Sequence, residues 1–176
     1  MLTRLSRAGL IKVSARKLIS LTAAGVERAE EMVRRHRLAE CLLVDVMGLE
    51  WWRAYEEAHL FEHAISPITE PLLIERLGQP ARSPFGYPIP GLTPDARLSE
   101  RRLSDMATGE STLIERVFEE DEDLLQFFDQ EGLHPGTSVL MRERAPLRDT
   151  VMIELEGREV ILGMQTARRV WVEELS

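Results

Sequence analysis

The chain has 176 residues, 44% of them hydrophobic, and a formal net charge of −8. That apolar share is enough for packed cores and excludes global disorder, while the acidic balance excludes a uniformly basic protein that coats nucleic acid. A single cysteine, Cys41, permits no internal disulfide and fits a reducing cytoplasm, and no apolar run approaches the roughly 18 residues of a membrane span. A soluble cytoplasmic protein with no membrane partner is expected, built as one medium domain or two small ones. Charge is segregated within it. Both lysines, Lys12 and Lys17, lie near the start with Arg4, Arg7 and Arg16, and acid collects between Glu110 and Glu131.

In chain order, residues 1–8 predict the end of a helix closed by Gly9. Leu10–Val13 and Leu18–Leu21 then predict two strands around a basic turn at Ser14–Lys17. A helix followed by such a hairpin is the tail of a winged helix-turn-helix, and an ordinary helix–hairpin corner reads the same way. Thr22 is a good N-cap for a long helix reaching about Met47, with Gly48 as its stop. Its apolar positions Val26, Ala29, Met32, Val33, Leu38, Leu42, Leu43 and Val46 recur at intervals of three and four and predict a buried face. A second helix begins near Glu50, and Ser66-Pro67 opens a third that ends at Gly78. These leucine-rich helices read as a dimerisation or core module.

The segment Arg82–Gly91 is too rich in proline and glycine for regular structure, and it passes into a polar linker from Thr93 to about Glu100. Beyond this boundary the period changes. Thr112–Phe118, Ser138–Arg144, Thr150–Leu155, Arg158–Leu162 and Arg168–Glu173 predict five strands, interrupted by one helix at Asp121–Glu131 that stops at Gly132. A small closed barrel is expected.

The most informative stretch runs from Tyr55 to His63. As a helix it places Tyr55, His59, Glu62 and His63 on one face, because residues three and four apart are neighbours there. Two imidazoles and a carboxylate within a turn can close on a divalent cation. Two of the chain's four histidines stand here, and a third, His36, precedes Glu40 by one helical turn. His134 reads as a loop residue. A His/carboxylate pair on a charged helix is more commonly a solvated face, which is the plainer reading of His36/Glu40 alone. His59-Leu60-Phe61-Glu62-His63 also has the H-x-x-E-H spacing of inverted zincins, in which the glutamate is a general base. A zinc metallopeptidase is therefore one alternative, and a metal-independent dimerisation module is another.

Five blocks occur in a telling order: Gly9-Leu10-Ile11; Leu21-Thr22-Ala23-Ala24-Gly25; His36-Arg37-Leu38-Ala39-Glu40; Glu57 to His63; and Ser83-Pro84-Phe85-Gly86-Tyr87-Pro88-Ile89-Pro90-Gly91. In these the chain resembles the metal-dependent repressors of the diphtheria toxin repressor and manganese transport regulator type. The resemblance implies a mostly α protein with a small β-barrel, divided as follows. Residues 1–21 are the end of a winged helix-turn-helix domain, 22–91 a helical metal-binding and dimerisation domain, 92–100 a linker, and 101–176 a Src-homology-type barrel. Family members carry further residues in front, so an N-terminally truncated chain is expected, with Met1–Leu5 as the last turns of the recognition helix and DNA reading impaired. A homodimer is implied, acting on double-stranded operator DNA as an iron- or manganese-dependent repressor in metal homeostasis, not as an enzyme.

The resemblance also implies two metal sites. One would use His59, Glu62 and His63 with a residue from the N-terminal segment. The other would use His36 and Glu40, with Glu120 and Asp123 reaching over from the barrel. Tyr55 stands where iron-type members have a further histidine, and His59 where they have cysteine and manganese-type members glutamate. Of a family anion-binding set, Arg37 and Ser83 remain while Tyr87 departs. Arg4, Lys12 and Lys17 are the candidates for contact with the DNA backbone. The expected ion is Fe(II) or Mn(II), with Zn, Ni or Co able to bind in vitro.

Overall fold

The computed structural model describes residues 2–14, 16–93 and 97–174. Helix α1 (Leu2–Arg7) ends at Gly9 in a left-handed conformation, and β1 (Ile11–Val13) pairs antiparallel with β2 (Ile19–Leu21) in the register Ile11 to Leu21. Thr22 joins this hairpin to the next helix in both directions. Its Oγ1 accepts from the Gly25 amide at 3.0 Å and donates to the Gly9 carbonyl at 2.6 Å. Only glycine fits at position 25, because a Cβ there would lie 2.0 Å from the Leu10 carbonyl oxygen.

Helix α2 (Ala23–Cys41) continues through a π-helical turn at Leu42–Val46 where the sequence predicts α-helix to Met47. Its expected apolar face is only partly covered: Leu38 and Leu43 are buried, whereas Val26, Val33 and Val46 are 42%, 38% and 51% exposed. A 3-10 turn (Trp51–Arg53) leads into α3 (Ala54–Phe61), which tightens into a second 3-10 turn at Glu62–Ala64. Helix α4 (Thr69–Arg76) begins later than expected, with Ile68 rather than Ser66 at its N-cap, and the Ser66 hydroxyl accepts from the Thr69 amide at 3.2 Å in the preceding turn. The linker expected at 92–100 falls partly outside the described residues, which omit 94–96.

The second half is a five-stranded antiparallel sheet. Strands β3 (Ser111–Val117), β4 (Ser138–Ala145), β5 (Thr150–Leu155), β6 (Arg158–Gly163) and β7 (Val170–Val172) stand in the order β6-β5-β4-β3-β7. The ladder is thus open between β6 and β7 among the described residues. Helix α6 (Met164–Ala167) and the 3-10 turn Leu103–Asp105 contribute Met164, Ala167 and Leu103 to the core shared by all five strands. The last strand is shorter than expected, running from Val170 to Val172 rather than from Arg168 to Glu173. Helix α5 (Glu122–Glu131) follows the prediction, with the Asp121 side chain accepting from Leu124 N and Gly132 left-handed at its end.

The sheet is docked on the helices. Trp51, Ala54 and Phe85 belong to its core, Val117 N donates to the Phe85 carbonyl at 3.1 Å, and Trp51 Nε1 donates to the Pro84 carbonyl at 3.0 Å. Gly86 permits the approach, since a Cβ there would lie 2.1 Å from the Glu115 carbonyl oxygen. His134, in the loop after α5, stacks on Trp51 with ring centroids 4.5 Å apart. This docking holds the end of β3 and the acidic residues after it against α2 and α3. No helix among the described residues is long and apolar enough to cross a membrane.

Candidate metal centre

Helix α2 supplies His36 and Glu40, one turn apart and both buried, at 9% and 0% exposure. Helix α3 and the 3-10 turn behind it supply His59, Glu62 and His63. Ala58 and Ala39 let the two helices pack closely, both being fully buried in one cluster. Glu62 is the hub of the resulting array. Its Oε2 lies 2.8 Å from His36 Nδ1 and 3.9 Å from His59 Nδ1, and its Oε1 lies 3.6 Å from His63 Nε2. Donor atoms of His36, His59 and Glu62 fall within 4.8 Å of one another, the spacing of ligands about one ion. The His63 side chain, 72% exposed, stands at the rim.

A second group of donors meets the first at His36. His36 Nε2 lies 3.1 Å from Glu40 Oε1, yet the two are misaligned and form no hydrogen bond. At that distance the two form an ion pair when the imidazole is protonated, and when it is neutral both atoms are free to act as metal donors. His36 Nε2, both Glu40 carboxylate oxygens and Glu119 Oε2 are buried without a hydrogen-bond partner among the described residues. Buried polar atoms are ordinarily paired, and a buried anion without a partner is costly. A cation bound beside His36 and Glu40 would offset the charge of these carboxylates.

Protonation follows the same logic. Burial alone would lower the His36 pKa, but the carboxylates of Glu40 and Glu62 outweigh it and raise it. Burial, and next the charge of Glu40, push the Glu119 carboxyl up to about 8. Burial and the nearby acids likewise push the Tyr55 hydroxyl up to about 12, so it stays a neutral phenol. Its ring packs edge-on against His36 and His59, with centroids 5.1 and 5.0 Å away. Cys41 is buried, its thiol pushed up to about 12 chiefly by burial, and it serves packing.

Of the barrel residues suggested by the resemblance, Glu120 and Asp123 are both exposed, and their neighbour Glu119 is the one turned inward. The acidic run from Glu119 to Asp123, shortly after β3, was a visible signal, but which acid faces the helices depends on where β3 ends. Arg37 and Ser83 are engaged internally. Arg37 donates to the Pro88 carbonyl, and Ser83 Oγ accepts from the Phe85 amide at 3.3 Å. Arg4, Lys12 and Lys17 are all exposed around the β1–β2 hairpin.

Comparison with known proteins places this geometry among relatives. Residues 22–91 match the model of the iron dependent repressor, metal binding and dimerisation domain, and residues 101–174 match the FeoA domain. The iron-dependent repressor IdeR of Mycobacterium leprae is 35% identical over 187 aligned residues, covering 98% of this chain and 80% of the relative. The diphtheria toxin repressor of Corynebacterium efficiens is 33% identical and covers 98% of this chain and 78% of its own length. Among solved structures, a manganese-dependent transcriptional repressor in complex with manganese superposes with a TM-score of 0.86 at 29% identity, over 99% of this chain and 82% of the other.

Proposed function

The chain belongs to the family of metal-dependent transcriptional repressors that includes the iron-dependent and diphtheria toxin repressors, and from that premise we propose how its own residues hold the ion. The protein is an iron- or manganese-dependent repressor of metal homeostasis rather than an enzyme, so the peptidase and metal-independent alternatives are set aside. We infer two donor sets hinged on His36. The inner set is His36 Nε2, Glu40 and Glu119. The outer set is Glu62 and His59 with His63 at the rim. Glu120 and Asp123 add negative charge beside the inner set.

A neutral imidazole has one lone pair, so His36 can ligate on one side only while its other nitrogen donates. The 2.8 Å contact from His36 Nδ1 to Glu62 Oε2 fits Nδ1–H donation, which turns the Nε2 lone pair toward Glu40 and Glu119. That contact fixes the tautomer and connects the two sets, as outer-shell hydrogen bonds do at metal sites generally. The buried donors left without partners around His36 Nε2 are the observation that carries this reading. A bound divalent cation supplies positive charge that offsets these carboxylates.

Gating follows from where the donors stand. Glu40 is on α2, Glu62 beyond α3 and Glu119 beyond β3, so completing the sets draws α2, α3 and the barrel into one arrangement. Moving a repressor from roughly 1:99 to 99:1 active takes about 5.5 kcal/mol of differential affinity. We further infer the division 1–21, 22–91, 92–100 and 101–176, which the two matched domains support, and a cytoplasmic location. We also infer a homodimer through the helical module. Leu60, Ile68 and Leu72 there, 71%, 81% and 63% exposed, supply unpartnered apolar area. Operator DNA is the proposed partner, with Arg4, Lys12 and Lys17 on its phosphates.

The test is calorimetric titration with Mn(II), anaerobic Fe(II) and Zn(II) on the wild type, Glu40→Gln and His63→Ala. Glu40→Gln is expected to remove the inner binding event, and His63→Ala to weaken the outer one. Isotherms unchanged in both variants would contradict the assignment.

A further inference from the structure

The sheet carries a second cluster, remote in sequence from the metal donors. A cleft of about 560 Å³ is lined by Arg102, Arg168 and Arg169 together with Trp171, Phe118 and Asp105. The guanidinium of Arg102 lies 3.8 Å from the Trp171 ring centroid, and that of Arg169 lies 4.2 Å from the Phe118 centroid. A guanidinium laid on an aromatic face is held in place with its N–H edges free, so little side-chain entropy remains to be lost on binding. Arg102 is fixed further by donating to the Arg168 carbonyl at 2.8 Å, and the Phe118 amide donates to the Arg169 carbonyl at 2.8 Å.

No carboxylate pairs with any of these three arginines among the described residues, although Arg101, Arg142 and Arg158 on the same domain all have acidic partners. The one acid in the cleft, Asp105, is engaged with its own turn. It accepts from the Arg102 amide at 2.9 Å and from Ser104 Oγ at 3.4 Å. The cleft is thus a concave, preorganised cationic site on a chain whose net charge is −8.

We propose that this cleft binds a small organic phosphate, a phosphate monoester recognised by the guanidinium forks of Arg168 and Arg169 with Arg102 as the fixed third donor. Planar forks suit the bidentate recognition of phosphate oxygens. The volume lies within the 300–1,000 Å³ range of small-ligand pockets and exceeds what a bare inorganic ion fills. The ester's organic group would then lie along Phe118 and Trp171.

The experiment is titration of the full metal-free chain with phenyl phosphate and, separately, with inorganic phosphate, followed by Trp fluorescence and by the arginine Nε–H signals in NMR. Saturable binding is expected, tighter for the ester, and weakened about tenfold or more in the Arg168→Gln/Arg169→Gln double variant. Both residues are exposed, and Arg169→Lys, which keeps the charge and loses the fork, is expected to weaken binding to an intermediate degree. Three results would overturn the proposal: a response reproduced by KCl at equal ionic strength, equal affinity in the double variant, or double-variant losses confined to binding of duplex DNA.

Discussion

Helix α2 carries two buried carboxylate clusters within a few residues of each other, and they are opposites. At one, Glu70 of α4 accepts from Arg34 Nε at 2.6 Å and Arg35 Nε at 2.8 Å, and these arginines lower its pKa against the opposing effect of burial. That cluster is complete within the chain and pins α4 to α2. At the other, one residue further along, the group facing Glu40 and Glu62 is His36, a cation only when protonated, and burial together with the charge of Glu40 raises the pKa of Glu119. The difference separates a structural ion pair from a sensor. A carboxylate held by two arginines keeps its partners across the neutral range, whereas one that faces an imidazole leaves its stabilisation to a proton or to whatever cation arrives.

Breaking the uncompensated cluster should have the largest effect. Glu40→Gln or Glu119→Gln is expected to weaken Mn(II) binding on the order of 100-fold, the upper end for disturbing a metal site, while leaving metal-free stability unchanged or higher. Calorimetry and thermal unfolding read the two halves of that statement. Glu70→Ala should do the reverse. Removing it leaves two partly exposed arginines without their partner, a loss of about 2 kcal/mol in chemical denaturation, with metal affinity retained.

A smaller effect comes from pH, and its sign distinguishes the clusters. Glu119 has a folded pKa of about 8 against an ordinary 4.5, so the folded state holds its proton more tightly and loses stability as pH rises through that window. His36, also raised, contributes stability that is present below its ordinary 6.5 and is lost as pH rises through its folded pKa. Metal-free protein should therefore lose stability progressively between about pH 5 and 8, and saturating Mn(II) should flatten the profile. Glu70, with its pKa lowered, contributes in the opposite sense: its stabilisation is present above the ordinary 4.5 and lost at lower pH.

Much of this was legible from residue spacing. Thr22, Gly9, Gly48, Asp121 and Gly132 mark helix ends that the structure keeps, because capping is local chemistry. His59, Glu62 and His63 were legible as neighbours for the same reason. Less legible was what depends on docking. His36 and Glu62 are 26 residues apart, and their contact exists only because α2 and α3 pack through Ala39 and Ala58. Glu119 was hidden among five consecutive acids, Glu119 to Asp123, and it is singled out by where β3 ends and by the close approach at Gly86. The open edge between β6 and β7 was also not readable, since α6 forms from Met164–Ala167, a segment too short to show a helical period.

The most direct test is anomalous diffraction from crystals of the full chain grown with Mn(II). The account predicts a peak within about 2.0–2.4 Å of His36 Nε2 and the carboxylates of Glu40 and Glu119, with a second peak, where present, at Glu62 and His59. Manganese found only at exposed carboxylates, with the His36–Glu40–Glu119 pocket empty, would contradict it.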